Sequence, residues 1–302
     1  MTSVSLPAPK PILQNPMVLL LTTGILFGFN FPLGKIAAGA GISPLLWAAI
    51  PSVGVVSLLL PILSANKRLV LPKGSMVRYV MLSAVISFVL PNILLFSVIP
   101  HVGAGFTGLM FALSPVFTLA LATLFRFKAP NKLGILGVSI GFVGAIIVSV
   151  SRGTAPEAPP VLWLFGALSI PIVLAVGNVY RSIDWPTGAD ADALAFWGHL
   201  FALPVFGILA LTTEAANTMH LITELPLAVL AQMLVSAIMF PIYFRLQKEG
   251  GPVLLSQIGY VSAAVGLLLA TVVLGEIYSA ITWLGALIIA IGIITTIRAQ
   301  QR

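Results

Sequence analysis

Asn30 and Asn178 are the first residues to weigh for chemistry. Each lies in the middle of an apolar run, and they stand 148 positions apart in a chain of 302. A side-chain amide both donates and accepts hydrogen bonds, so a matched pair can hold a polar solute between two parts of a molecule. In hydrocarbon an unpaired polar group costs several kcal/mol, which makes such residues site candidates. The same amides can instead lock a helix crossing by bonding a neighbouring backbone. The sequence leaves both uses open.

Other side chains extend the list. Asn92 follows Pro91, whose missing N–H frees a carbonyl one turn back, so Asn92 lines a cavity or repairs that kink. Gln257 and Tyr260 are three apart and share a helix face. Tyr79, Trp163 and Tyr180 lie near helix ends. There they serve as interfacial belt residues, or their rings stack on a flat substrate or attract an ammonium group. Lys35 sits inside a helix end and either pairs with a substrate carboxylate or extends to lipid headgroups. His199 can carry a proton or serve as a buried structural group. Together Asn30, Lys35, Tyr79, Asn92, Trp163, Asn178, Tyr180, His199, Gln257 and Tyr260 form the candidate substrate site.

What is absent narrows the chemistry. There is no cysteine and there are only 3 histidines. No Asp or Glu falls at mid-segment. A nucleophile–base set or a metal cluster is therefore not expected, and neither is a cofactor. No Gly-Lys-Ser/Thr phosphate loop is present, so ATP is not the expected driver.

These residues need elements to position them. The chain is 59% hydrophobic and 8% charged, against about 25% charged in soluble domains. Such a chain calls for a bilayer as solvent, and its net charge of +7 does not point to nucleic acid. A helix needs about 20 apolar residues to cross the hydrocarbon. Ten such segments can be drawn, at 17–39, 43–63, 77–99, 101–125, 132–151, 160–181, 192–213, 225–245, 251–274 and 278–298. Residues 1–16 read as a cytoplasmic tail. With the N-terminus inside, thirteen Lys and Arg fall inside, Arg181 and Lys128 among them. Only Lys35 and Arg152 fall outside. That bias places both termini in the cytoplasm.

The chain also repeats itself. Leu119-Ala120-Leu121-Ala122-Thr123 returns as Leu267-Leu268-Leu269-Ala270-Thr271. Gly137 and Gly144 return as Gly285 and Gly292, and Ser114 as Ser262, all at the offset of the two asparagines. A half-length repeat implies two copies of one module. Five segments per copy, an odd number, would leave the copies inverted, with Lys128 on one side and its counterpart Glu276 on the other. Inverted repeats place a substrate site at the midplane between the halves.

At this point the sequence resembles the drug/metabolite transporter superfamily, in its ten-helix form made of two EamA-type modules. The resemblance is carried by Gly28-Phe29-Asn30-Phe31 with Lys35, by Ser114-Pro115, and by Leu274-Gly275-Glu276 leading to Gly285 and Gly292. The first copy departs from the pattern, with Arg126-Phe127-Lys128 in place of Gly-Glu. The resemblance implies an all-α membrane protein of ten transmembrane helices in two inverted five-helix repeats, 17–152 and 160–302. It implies a secondary transporter of the inner membrane that exports neutral or zwitterionic metabolites, amino acids and aromatic ones foremost. A channel or scramblase-like protein is the alternative. An organic-cation exporter is further off, because the four-helix relatives of that type use a membrane-embedded Glu that this chain lacks. The partners expected are a small-molecule substrate and membrane lipid, and a monomer suffices.

Overall fold

The computed structural model describes residues 15–125, 131–153 and 159–300. Most of the tail, the Arg126–Lys128 motif, Glu157 and Arg302 lie outside them. Every regular element among the described residues is helical. The first half holds α1 (Pro16–Gly28), α2 (Asn30–Gly39), α3 (Pro44–Ala65), α4 (Ser75–Ser83) and a π-helix (Ala84–Val89). It continues with α5 (Leu90–Val102), α6 (Ala104–Phe111), α7 (Ser114–Leu124) and α8 (Lys132–Gly153). The second holds α9 (Val161–Ile183), α10 (Ala191–Thr212), a 3-10 helix (Glu214–Glu224), α11 (Pro226–Ser256), α12 (Ile258–Val272) and α13 (Ala280–Gln300).

Local chemistry sets the helix starts. Asn15 caps α1 by accepting the Met17 N–H at 2.9 Å. Asp190 caps α10 by accepting the Asp192 N–H at 2.9 Å. Both are short polar side chains satisfying an orphan donor of the first turn. Proline follows the cap of α1, α3 and α11, where a missing N–H is harmless.

Among the described residues seven helical stretches are long and apolar enough to cross a membrane, and three apolar helices are shorter, Lys132–Val148, Ile258–Val272 and Ala280–Thr296. One difference from the expected segments has a clear cause. The segments 225–245 and 251–274 meet in α11, which joins two helices across a kink at Gly251 (φ 68, ψ −174). Gly103, its repeat counterpart, also takes a positive φ of 94 and separates α5 from α6. Only glycine adopts such angles freely.

Two helices show the repeat in space. A Cβ on Gly144 would lie 2.7 Å from the Gly285 carbonyl oxygen, and one on Gly292 would lie 2.7 Å from that of Gly137. So α8 and α13, which are repeat counterparts, run antiparallel with their backbones in contact along the glycine stripe. Small residues permit that approach. A second counterpart pair also meets: a Cβ on Gly259 would lie 2.6 Å from the carbonyl oxygen of Phe111.

Candidate functional site

Where the two halves meet there is a narrow, nearly closed chamber of about 20 Å³. Ser87, Asn92 and Ser114 contribute its polar wall from the first half, and Asn178 and Tyr243 from the second. Rings of Phe27, Phe111 and Phe240 supply apolar surface.

Broken helices present these groups. Pro91 cannot donate to the carbonyl one turn back and its ring crowds that carbonyl. The π-helix Ala84–Val89 lies immediately before it. A wider turn accommodates such a fault, and here it turns Ser87 to the chamber with Asn92. The Ser87 hydroxyl and the Asn92 Nδ2 have no hydrogen-bond partner. Buried donors without partners are rare in folded proteins, and in a chamber wall they are groups free to bind a solute.

Opposite them lies a dense network. Asn178 Oδ1 accepts from Arg181 Nη2 at 2.8 Å and from the Tyr243 hydroxyl at 2.9 Å. Arg181 Nε donates to Gln247 Oε1 at 2.7 Å, and its Nη2 also donates to the Tyr243 hydroxyl. Gln247 Nε2 donates back to the Asn178 carbonyl at 2.9 Å. Arg181 is 1% exposed. The positive-inside count places Arg181 on the cytoplasmic side; its side chain is nonetheless buried, drawn inward by Gln247 and Tyr243, four residues apart on one face of α11.

The other candidates divide by place. Asn30 is buried, but its amide is used within the protein. Its Nδ2 donates to the Phe27 carbonyl at 2.9 Å, mending the break between α1 and α2, and its Oδ1 accepts from Gln232 Nε2 at 2.6 Å. His199 is fully buried, with Nδ1 2.9 Å from Ser52 Oγ and its ring on Phe88 and Phe240 at 4.1 Å each. Its Nε2 has no partner. Gln257 is buried at the turn into α12, with both amide atoms unpartnered. Tyr260 faces a separate apolar groove with Leu109 and Trp283. Lys35 Nζ donates to the Pro100 carbonyl at 3.4 Å, and Trp163 stacks on His101 at 3.7 Å, both away from the chamber. Tyr79 stacks on Tyr180 at 6.1 Å, and the Tyr180 hydroxyl donates to Asp184 at 2.8 Å. Of the ten, only Asn92 and Asn178 line the chamber.

The two ends differ. At one, Asp192 accepts two hydrogen bonds from Arg245, at 2.9 and 2.7 Å, and one from Arg68 at 2.9 Å. Arg68 also bonds Asp190 at 2.6 Å, and Arg78 bonds Asp184 at 3.2 Å. Burial pushes the Asp190 carboxyl up, but the Arg68 guanidinium outweighs it and the net shift is downward. The hydrogen bond from Arg78 holds the Asp184 carboxyl below its usual value. At the other end Glu276 accepts the N–H groups of Ala104 and Gly105 at 2.9 and 3.1 Å, and Tyr278 donates to it. A carboxylate there complements the positive end of α6. Among the described residues no cluster of three or more His, Asp or Glu side chains stands where a metal ion could be held.

Apolar helices in two repeated modules, with a small chamber lined by both, define a duplicated, multi-helix membrane protein. The model of the EamA-like transporter family matches this chain twice, over residues 14–150 and 161–298. The chain therefore belongs to that family, within the drug/metabolite transporter superfamily. An uncharacterised inner membrane transporter of Escherichia coli, YedA, is 29% identical over 200 residues, spanning 65% of this chain and 63% of the relative. The alignment thus leaves over a third of that relative uncovered. The probable terminal-alkyne amino-acid exporter of Streptantibioticus cattleyicolor is 30% identical over 111 residues, 35% of each chain. A solved crystal structure shares the fold, with a TM-score of 0.63 at 19% identity, covering 94% of this chain and 97% of the other.

Proposed function

We propose that this chain is a secondary transporter of the inner membrane that exports small neutral or zwitterionic metabolites, amino acids foremost. It would do so by rocking one five-helix half against the other. The observation that carries this reading is the chamber itself, with a mostly apolar wall to which both family modules contribute polar groups. Ten spans in two inverted repeats is the architecture proposed, with both termini in the cytoplasm. The antiparallel packing of α8 against its own counterpart α13 supports inversion. Repeats related by an axis along the membrane normal would set counterpart helices parallel. The ion pairs of Arg68 with Asp190 and Asp192 join the halves at the proposed cytoplasmic end, while Glu276 joins them at the opposite end.

The proposed binding groups are Asn92 and Asn178, with Ser87, Ser114 and Tyr243. Asn30, Tyr79 and His199 are proposed to set helix crossings behind that wall, while Lys35, Trp163 and Tyr180 act at the chamber's ends. Gln257 and Tyr260 would enter only when the halves rearrange. Amino acids as cargo are supported by a relative whose name states a substrate, the probable terminal-alkyne amino-acid exporter, and by a chamber that mixes amide, hydroxyl and aromatic surface. Aromatic amino acids fit the phenyl rings of its wall. The same wall disfavours an organic cation, since Arg181 stands behind it and no carboxylate lines it. Proteoliposomes loaded with a mixture of amino acids should show saturable, trans-stimulated uptake of a labelled one. Flux that neither saturates nor responds to internal solute would instead mark a channel or scramblase.

A further inference from the structure

Arg181 holds a positive charge deep in the bundle, and among the described residues it has no negative partner. Its acceptors are the neutral oxygens of Gln247, Asn178 and Tyr243. The nearby aspartates are committed elsewhere: Asp184 to Arg78, Asp190 to Arg68, and Asp192 to Arg68 and Arg245. Among the described residues no ion pair reaches Arg181. A guanidinium buried without a counter-charge is costly to keep, and amide dipoles offset only part of that cost. A ligand that brings the missing charge recovers the difference on binding.

The geometry connects this charge to the chamber. Two of its three acceptors, Asn178 and Tyr243, are themselves chamber wall. The helix surface is closely approached beside it at Gly177. A Cβ there would lie 2.8 Å from Ser87 Oγ and 3.4 Å from Arg181 Nη1. The absent side chain thus lets the free serine hydroxyl and the guanidinium both close on the same point of the helix. Asn92 Nδ2, also unpartnered, lines the same chamber as Ser87, with the guanidinium one layer behind Asn178 and Tyr243.

From this we infer that Arg181 is the receptor for a substrate carboxylate, gripped with help from Ser87 and Asn92. The chamber then selects solutes carrying one carboxylate over their uncharged counterparts. A guanidinium fork matches the two oxygens of a carboxylate, and such charge-assisted pairs are the strong ones. The inference rests on the carrier reading above and narrows it from neutral metabolites at large to carboxylate-bearing ones.

The test uses the full chain purified in detergent, titrated with L-phenylalanine and L-leucine and with their primary amides. Thermal shift and tryptophan fluorescence serve as readouts. The acids should bind at least about tenfold more tightly than the amides, the worth of one charged hydrogen-bond pair. Arg181→Gln should erase that preference, and Arg181→Lys should keep part of it. Gly177→Ala, whose methyl would push Ser87 away from the guanidinium, should weaken the acids and spare the amides. If Arg181→Gln does not fold, the wild-type ratio and Gly177→Ala decide. Equal binding of acid and amide, an unchanged preference in Arg181→Gln, or no binding of either acid overturns the inference. Counterflow in vesicles separates the two layers. Acid-selective binding without counterflow supports the receptor and sinks the carrier. Counterflow that is indifferent to the carboxylate does the reverse.

Discussion

The flank and the centre of this molecule treat the same repeat in different ways. At the flank, α8 and α13 meet as equals, with Gly144 against Gly285 and Gly292 against Gly137. At the centre, Asn30 and Asn178 occupy matching positions and do different work. Asn30 is spent on the Phe27 carbonyl and on Gln232. Asn178 opens on the chamber and holds Arg181 and Tyr243. Duplication copies the packing because backbone contact needs only small residues in register. It does not copy the chemistry, because a polar side chain takes its role from whatever the facing helix presents.

The asparagines give the sharpest way to break that contrast. Asn178→Ala removes an acceptor from a buried guanidinium, a loss of about 1.5–3 kcal/mol. Transport per folded molecule should fall at least about tenfold. Asn30→Ala should instead lower stability by about 1–3 kcal/mol and leave flux per folded molecule unchanged. Purified-protein melting alongside vesicle flux checks both. If the two variants behave alike, the assigned asymmetry is wrong.

The flank predicts the opposite pattern. Gly144→Leu and Gly292→Leu should each cost about 1–3 kcal/mol by overpacking, with similar falls in melting temperature. A large effect in one and none in the other would show that the α8–α13 contact is not symmetric.

The smallest effect concerns pH at the ion-paired end. Asp184 and Asp190 are held below the ordinary 3.8. Their contribution is present above that value and lost as the pH falls through the depressed one. Stability should therefore be flat from pH 5 to 8 and drop below about 4, where ordinary aspartates take up protons. Asp184→Asn should lose part of that acid-dependent drop. An unchanged acid profile in that variant would remove Asp184 from the account.

Much of the scaffold could be read from the chain. Apolar runs of membrane length, the doubled Leu-Ala-Thr strings and the glycine spacing all act locally, so sequence carries them directly. The chamber was harder. Asn92 and Asn178 were legible as polar residues in apolar runs. Ser114 stood in the repeat, but a serine can bond its own helix backbone, so it gave no site signal. Ser87 depended on the π-turn that Pro91 accompanies. The burial of Arg181 was not legible, since two residues from the end of α9 a cation ordinarily reaches water. What buries it is Tyr243 and Gln247, more than sixty residues later, and that partnership is set by tertiary packing. Their four-residue spacing on α11 was the available hint.

The claim beneath all of this is that the chamber lies between two halves set upside down to each other. The chain has no cysteine, so single cysteines can report sidedness directly. Lys128→Cys and Ile277→Cys, the latter at a residue 94% exposed, stand one position out of register in the two copies of the sequence repeat. With an impermeant maleimide on right-side-out and inverted vesicles, the account predicts labelling of the two from opposite faces. Labelling of both from the same face would contradict it.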